Sequence, residues 1–178
     1  MDLIAALSDL CKSTPQPIIA IDGPAGAGKT TLAHDIKLAL AQSYSITEIH
    51  MDDLYDGWDN ALSAELSDVL THLVATHKTS QPISISTYDW RAGTFNPAVV
   101  LEKSELLILE GVGSGQRSIR DSLTALIWID IEATDGLQRV LQRDGIEIEK
   151  QMRKWLTKQE QHFGVEGTQN AADFVLTN

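Results

Sequence analysis

Apolar residues along this chain come in two spacings. Short runs at Ile18 to Asp22, Ile46 to Met51, Leu106 to Glu110, Leu126 to Asp130 and Phe174 to Leu176 have the length and the Ile/Leu content of strands covered on both faces. Between them, at 29–42, 60–77, 134–143 and 147–162, apolar positions recur three and four apart, as on one face of a helix; Leu32, Ile36 and Leu40 with Ala33 and Ala39 show this most clearly. Before the first run, Leu3, Ile4, Leu7 and Leu10 repeat at helical spacing up to the Pro15-Gln16-Pro17 break, so an N-terminal helix is expected within 1–14, packed across a sheet edge. Strands alternating with helices predict an α/β fold, a three-layer, doubly wound, mainly parallel five-stranded sheet. At 178 residues the chain is expected to form a single domain spanning 1–178.

In such sheets ligands bind beyond the carboxyl ends of the strands, and there the chain places acids: Asp22, Asp52 with Asp53, Glu110 and Asp130. Between the first strand and the next helix stands Gly23-Pro24-Ala25-Gly26-Ala27-Gly28-Lys29-Thr30, the glycine-rich spacing of a phosphate-binding loop. Its glycines let the backbone around Ala25 and Ala27 turn N–H groups inward to form a nest at a helix N-terminus. Lys29 is expected to reach the terminal phosphates of ATP, Thr30 to ligate Mg²⁺, and Thr31 to add a phosphate contact.

The other half of a phosphoryl-transfer site needs a carboxylate to orient a hydroxyl and accept its proton, and an acid to support the metal. Asp52 is the expected base, with Asp53 and Tyr55 beside it and Trp58 and Asp59 further on; Glu110, ending an apolar strand, is the expected Mg²⁺ partner of Thr30. Tyr88-Asp89-Trp90-Arg91 combines an aromatic face, an acid and a cation suited to an acceptor pocket, with Tyr88, Asp89 and Arg91 as contact candidates. Arg139 and Arg143, four apart on one helix, can close over a transferring phosphoryl group; Arg117 and Arg120 are lesser candidates. The histidines lack metal-ligand spacing, Trp128 and Trp155 read as core, and the loop through Gly113 and Gly115 carries no legible purpose.

A formal net charge of −11 argues against a nucleic-acid polymer as partner, since phosphate neutralisation needs clustered Lys and Arg. Cys11, the single cysteine, excludes an intramolecular disulfide and suits a reducing cytoplasm. No apolar run approaches the roughly 20 residues of a membrane span, so no membrane partner is expected. Homo-oligomerisation is left open.

Taken in order, Gly23 to Thr31, Asp52-x-Leu54-Tyr55, Tyr88-Asp89, Leu109-Glu110-Gly111 and Arg139 to Asp144 resemble the uridine kinase-like family of P-loop kinases, over residues 17–178. The resemblance implies an ATP-dependent, Mg²⁺-requiring kinase that phosphorylates a hydroxyl of a small, nucleoside-like molecule. It also implies that Asp52 is the base, that Tyr88 and Asp89 belong to the acceptor pocket, that Arg139 and Arg143 belong to a lid, and that Ala172-Asp173-Phe174 closes near the adenine. The chain departs from the family in an acidic segment at Gly145-Ile146-Glu147-Ile148-Glu149 and in Trp90-Arg91 where a basic pyrimidine reader is expected. Ile21-Asp22-Gly23-Pro24-Ala25-Gly26 also looks like the loop of cytidylate kinases, which leaves a nucleoside monophosphate acceptor as the alternative. A nucleotide-dependent regulatory switch is a third reading, though the chain has no Asn-Lys-x-Asp guanine-reading motif.

Overall fold

The protein is described over residues 2–177 by a computed structural model. Its central sheet is built from β1 (Ile18–Asp22), β2 (Ile46–His50), β7 (Leu106–Glu110), β8 (Ala125–Asp130) and β9 (Phe174–Thr177) in the order β2-β7-β1-β8-β9. Every pairing is parallel. The expected five-stranded, doubly wound sheet is therefore present, and each predicted strand lies within a residue of its observed ends. The single-domain expectation covers Met1 and Asn178, which lie outside the described residues.

Register brings the chemistry together. Glu110 pairs with both Ile21 and His50, and Asp22 pairs with Trp128, so the carboxyl ends of β1, β2, β7 and β8 finish at one level. The phosphate loop, the Met51–Asp53 turn and Glu110 all leave the sheet from that edge.

Helices cover both faces because each presents one apolar stripe. On one face, α2 (Lys29–Leu40) contributes Ala33, Ile36 and Leu40, packed with Ile19, Ile21, Ile108 and Ile127. Helix α1 (Leu3–Ser13), capped by Asp2 accepting from the Ile4 N–H at 3.0 Å, joins that face through Leu7 and Cys11. Leu7 is completely buried in this apolar layer, and α1 packs against α2. The other face carries α3 (Ala64–Lys78) with Leu66, Leu70 and Leu73, and α6 (Glu149–Glu166) with Met152 and Trp155, over Ile18, Leu107 and Leu109. Helix α3 starts at 64, later than the periodicity predicts, because Ser63 caps it by accepting from the Leu66 N–H, while Asp56 and Asn60 pair across the preceding loop.

Two small antiparallel ladders are absent from the apolar pattern: β3 (Ile83–Ile85) with β6 (Val99–Leu101), and β4 (Tyr88–Asp89) with β5 (Thr94–Phe95). Short helices α4 (Arg117–Arg120) and α7 (Thr168–Ala171), and α5 (Ala133–Asp144) after β8, complete the order.

Candidate active site

The loop between β1 and α2 is shaped by its glycines. Gly28 caps α2 in the left-handed region, with φ 93°, and Gly26 has φ 81°. A side chain on Gly26 would run into the backbone of Gly136 in α5, and one on Gly136 would come within 2.6 Å of the Ala25 carbonyl oxygen. The loop and α5 are thus pressed together through two residues without side chains. Gly23 lies beneath the loop against Ile129, outside the cleft lining, and its N–H donates to Asp22 Oδ1 at 2.8 Å.

Around this loop opens a cleft of about 980 Å³, lined by Ala25 to Leu32 along with Asp52 after β2, Glu110 of β7 and Ile129 of β8. Lys29 is buried, and its Nζ donates to the Pro24 carbonyl at 2.7 Å, so the ammonium lies curled along the loop it serves. Burial lowers its pKa, while Asp22, Glu110 and Asp52 favour the charged form. Thr30 Oγ1 donates to Glu110 Oε1 at 3.1 Å. These adjacent hard oxygen donors suit Mg²⁺, which prefers one or two carboxylates and keeps its other positions for phosphate and water. Among the described residues no group of three His, Cys, Asp or Glu is arranged to hold a metal by itself.

Glu110 has a second partner that the sequence reading missed. His50 Nδ1 lies 2.5 Å from Glu110 Oε1. Burial alone would lower the His50 pKa, but this bond and the nearby Glu48 and Asp53 carboxylates prevail and raise it. The residue's place at a strand end, two before Asp52, was the available signal. Asp52 is exposed to the cleft, yet the protein around the cleft floor pushes its carboxyl upward, against the pull of Lys29 and Arg143.

Across from the loop stands an aromatic wall. Tyr55 and Trp155 rings are 5.3 Å apart, Trp58 and Trp90 are 5.3 Å apart, and Trp58 lies 6.0 Å from Trp155. All four line the cleft with Asp52. Tyr55 is buried and fixed by its hydroxyl, which donates to the Val112 carbonyl at 2.7 Å. Trp90 Nε1 donates to the Asp52 carbonyl at 3.0 Å, tying the β4–β5 hairpin to the segment that carries the expected base. Trp155, read as core from its spacing, is both core and cleft wall.

Other candidates are placed differently. Asp53, Tyr88, Asp89 and Arg91 lie outside the cleft lining. Asp89 Oδ1 accepts from the N–H groups of Arg91 and Ala92, at 2.8 and 3.0 Å, so its carboxylate is spent on closing its own turn. Tyr88 packs edge-on against Trp90 and Phe95, and the hairpin thereby presents Trp90 to the cleft. Arg139 and Arg143 do line the cleft; Arg139 makes a long 3.5 Å contact to the Gly26 carbonyl, and Arg143 is paired side-on with Asp144 at 2.6 and 2.7 Å. Arg117 and Arg120 instead donate to the carbonyl of Glu166, at the end of α6. Asp173 accepts from the Leu126 N–H at 2.8 Å, at the end of β8 remote from the loop; Leu176 and Thr177 are the β9 residues that reach the cleft.

The loop through Gly113 and Gly115 acquires a purpose. Asp22, fully buried, accepts from the N–H groups of Gly113 and Gly115 at 2.9 Å as well as from Gly23. Burial raises its pKa, against those three bonds and Lys29. One carboxylate thus ties the start of the phosphate loop to the loop that follows Glu110.

The parallel order β2-β7-β1-β8-β9 with a glycine-rich loop after the central β1 is the frame of a P-loop kinase. No protein-family model matches the chain. It is 25% identical over 179 residues to a protein named uridine kinase from Lactobacillus johnsonii, an alignment covering 89% of this chain and 85% of that one. A protein named uridine kinase from Lactobacillus helveticus is also 25% identical, over 187 residues with the same coverage. Among solved structures, a possible uridine kinase from Bacillus stearothermophilus superposes with a TM-score of 0.66 at 23% identity, covering 99% of this chain and 100% of that one. A putative fructose transport system kinase from Silicibacter gives 0.68 at 17% identity, over 98% and 99% of the two chains. These likenesses bear out the resemblance to uridine kinase-like P-loop kinases, and with it the reading of the chain as a nucleotide-binding phosphotransferase. No helix among the described residues is long and apolar enough to cross a membrane.

Proposed function

We propose that this protein is a Mg-ATP-dependent kinase that transfers the γ-phosphoryl group to a hydroxyl of a small, uncharged acceptor with a planar ring, nucleoside-like in shape. The observation that carries this reading is that Asp52, the Lys29–Thr30–Glu110 group and a wall of aromatic rings share one cleft of about 980 Å³, a volume within the range of small-molecule sites. The aromatic faces suit stacking on a planar ring. The cations between residues 52 and 105 are Lys78, Arg91 and Lys103, and none lines the cleft. That favours an unphosphorylated acceptor over a nucleoside monophosphate, which needs an anion site beyond the donor loop.

In this reading the N–H groups of residues 26–31 and Lys29 hold the phosphates of ATP, and Thr30 with Glu110 would hold Mg²⁺. The metal supplies charge neutralisation on the phosphates when bound. Asp52 orients the acceptor hydroxyl and accepts its proton as the oxygen attacks phosphorus in line with the departing ADP oxygen. Arg139 and Arg143, on the helix that abuts the loop, offset charge on the transferring group. A soluble enzyme of the cytoplasm, with no nucleic-acid partner, fits the acidic surface and the lone buried Cys11.

The test is a phosphorylation screen with Mg-ATP over nucleosides, nucleoside monophosphates, sugars and coenzyme precursors, run on wild type and on Lys29→Ala. Phosphorylation of an unphosphorylated acceptor, falling about 100- to 1,000-fold in the variant, is the expected result. Turnover of monophosphates alone selects the cytidylate-type alternative, and hydrolysis indifferent to every acceptor selects a regulatory switch.

A further inference from the structure

We propose that Gln159 is a positioning residue for phosphoryl transfer, which locks the phosphate loop to helix α6 and, through that helix, to the acceptor wall. The inference rests on the kinase reading above. Gln159 is only 5% exposed, and its Oε1 accepts from the Ala25 N–H at 3.1 Å. On its other side Ala25 presents its carbonyl to Gly136, so close that a single added methyl there would meet it at 2.6 Å. The first half of the loop is therefore held from two directions, by α6 through an N–H and by α5 through a carbonyl.

The same face of α6 grips the acceptor side. Trp155, Lys158 and Gln159 stand at i, i+3 and i+4, so they share one stripe of the helix. Trp155 packs on Tyr55 and Trp58, and Lys158 Nζ donates to the backbone carbonyls of Trp58 and Asp59 at 3.2 and 2.5 Å. One helical stripe thus holds the segment bearing the acceptor wall at one end and the donor loop at the other.

The choice of an amide has a reason. A buried N–H left without an acceptor is costly, and a carboxylate in place of Gln159 would repel the phosphates that the loop is built to hold. ATP binding itself draws on the remaining loop N–H groups, Lys29 and the metal. What depends on the α6 stripe is the distance and angle between the γ-phosphoryl group and the hydroxyl beside Asp52. A misplacement of about 1 Å there costs on the order of 100-fold in rate. Loosening Gln159 is therefore expected to lower kcat and spare nucleotide affinity.

The experiment compares wild type, Gln159→Leu, Lys158→Met and the double variant for kcat with an acceptor found in the screen. It also compares the Kd for a fluorescent ATP analogue with Mg²⁺, and the melting temperature. Gln159→Leu is expected to lose roughly 10- to 100-fold in kcat with a Kd within about threefold of wild type. Lys158→Met, which loosens the other end, shows the same split more weakly, and the double variant falls less than the product because both cut one strap. A folded Gln159→Leu with wild-type kcat overturns the inference, as do equal losses in kcat and nucleotide affinity, which would make Gln159 an ordinary brace of the nest. Should Gln159→Leu not fold, a wild-type kcat in Lys158→Met overturns it instead. A wild type that phosphorylates nothing in the screen fails the kinase reading and this inference together; an active wild type beside an unaffected variant fails only the inference.

Discussion

Adding one methyl group at Gly136 tests whether the phosphate loop is truly shaped by its contact with α5. Two effects oppose each other. Gly136 lies inside α5 without a positive φ, so alanine stabilises the helix by about 1 kcal/mol through propensity. Its Cβ, however, would sit 2.6 Å from the Ala25 carbonyl oxygen, where ordinary contact begins near 3.4 Å, so the loop or the helix must yield by about 0.8 Å (3.4 minus 2.6). Overpacking of this kind costs about 1–3 kcal/mol. The net expectation is a loss of about 0–2 kcal/mol, or up to roughly 8 °C in melting temperature for a domain of this size.

Function should suffer more than stability in Gly136→Ala. Shifting Ala25 and Gly26 by most of an ångström misaligns the nest, and a fluorescent ATP analogue should bind at least about tenfold more weakly, the equivalent of one lost neutral hydrogen bond. Gly164→Ala is the matched control. It lies in α6 with nothing within 4 Å of the added Cβ, and should raise stability by about 0.5–1 kcal/mol with nucleotide affinity unchanged. Both variants go through thermal melts and nucleotide titration. A Gly136→Ala protein that melts higher and binds the analogue like wild type would refute the claim that this close approach sets the loop.

Asp52→Asn keeps the shape of the cleft but removes the proton acceptor, so kcat with the screened acceptor should fall about 10²–10⁴-fold while the nucleotide Kd holds; steady-state kinetics beside a titration decide it. Burial lowers the pKa of His77, whose Nε2 is 3.1 Å from the Pro17 carbonyl, so the folded state binds fewer protons there than the unfolded state once the pH falls below about 6.5. Wild type should therefore lose stability relative to His77→Gln as the pH drops from about 7.5 to 5.5, by at most about 1.4 kcal/mol per pH unit in urea melts; His50, raised instead, works with the opposite sign and cancels in the comparison. A difference that does not vary with pH would count against a neutral buried His77. The Cys11 thiol is buried and pushed up to about 11, so a thiol reagent at pH 7.5 should label it only after unfolding, and rapid labelling of native protein would show that α1 opens readily.

The sheet and the donor loop were legible because they are written in local code. The three inner parallel strands, β7, β1 and β8, are buried on both faces and so read as near-continuous apolar runs, and Gly26, Gly28 and Lys29 follow β1 at fixed spacing. The acids were legible for a related reason: a parallel sheet ends its strands at one level, so Asp52 and Glu110 could be placed from strand ends alone. The placement of α1 was less so, since periodicity says which stripe is buried but not which surface buries it. Asp89 misled because the same residue type that can meet a substrate also closes tight turns, and its two backbone partners lie two and three residues ahead, where an Asx turn places them.

What stayed out of reach depends on contacts between residues far apart in the chain. Gln159 meets Ala25 across 134 positions, Asp22 meets Gly113 across 91, and His50 meets Glu110 across 60. None belongs to a repeating pattern, and a glutamine inside an amphipathic helix looks like any solvated residue. Yet these contacts share a logic. The nest needs rigid backbone, and glycine, which makes the nest possible, also makes it loose. Each long-range bond takes up that looseness at a different point: Asp22 fixes the loop where it begins, Gly136 presses its middle, and Gln159 holds Ala25 between them. The residues that bind phosphate are thus readable from spacing, whereas those that hold the binders in place become visible only when the chain is folded. Variants in this second group should therefore disturb alignment and rate before they disturb nucleotide affinity, except at Gly136, where the loop itself is displaced.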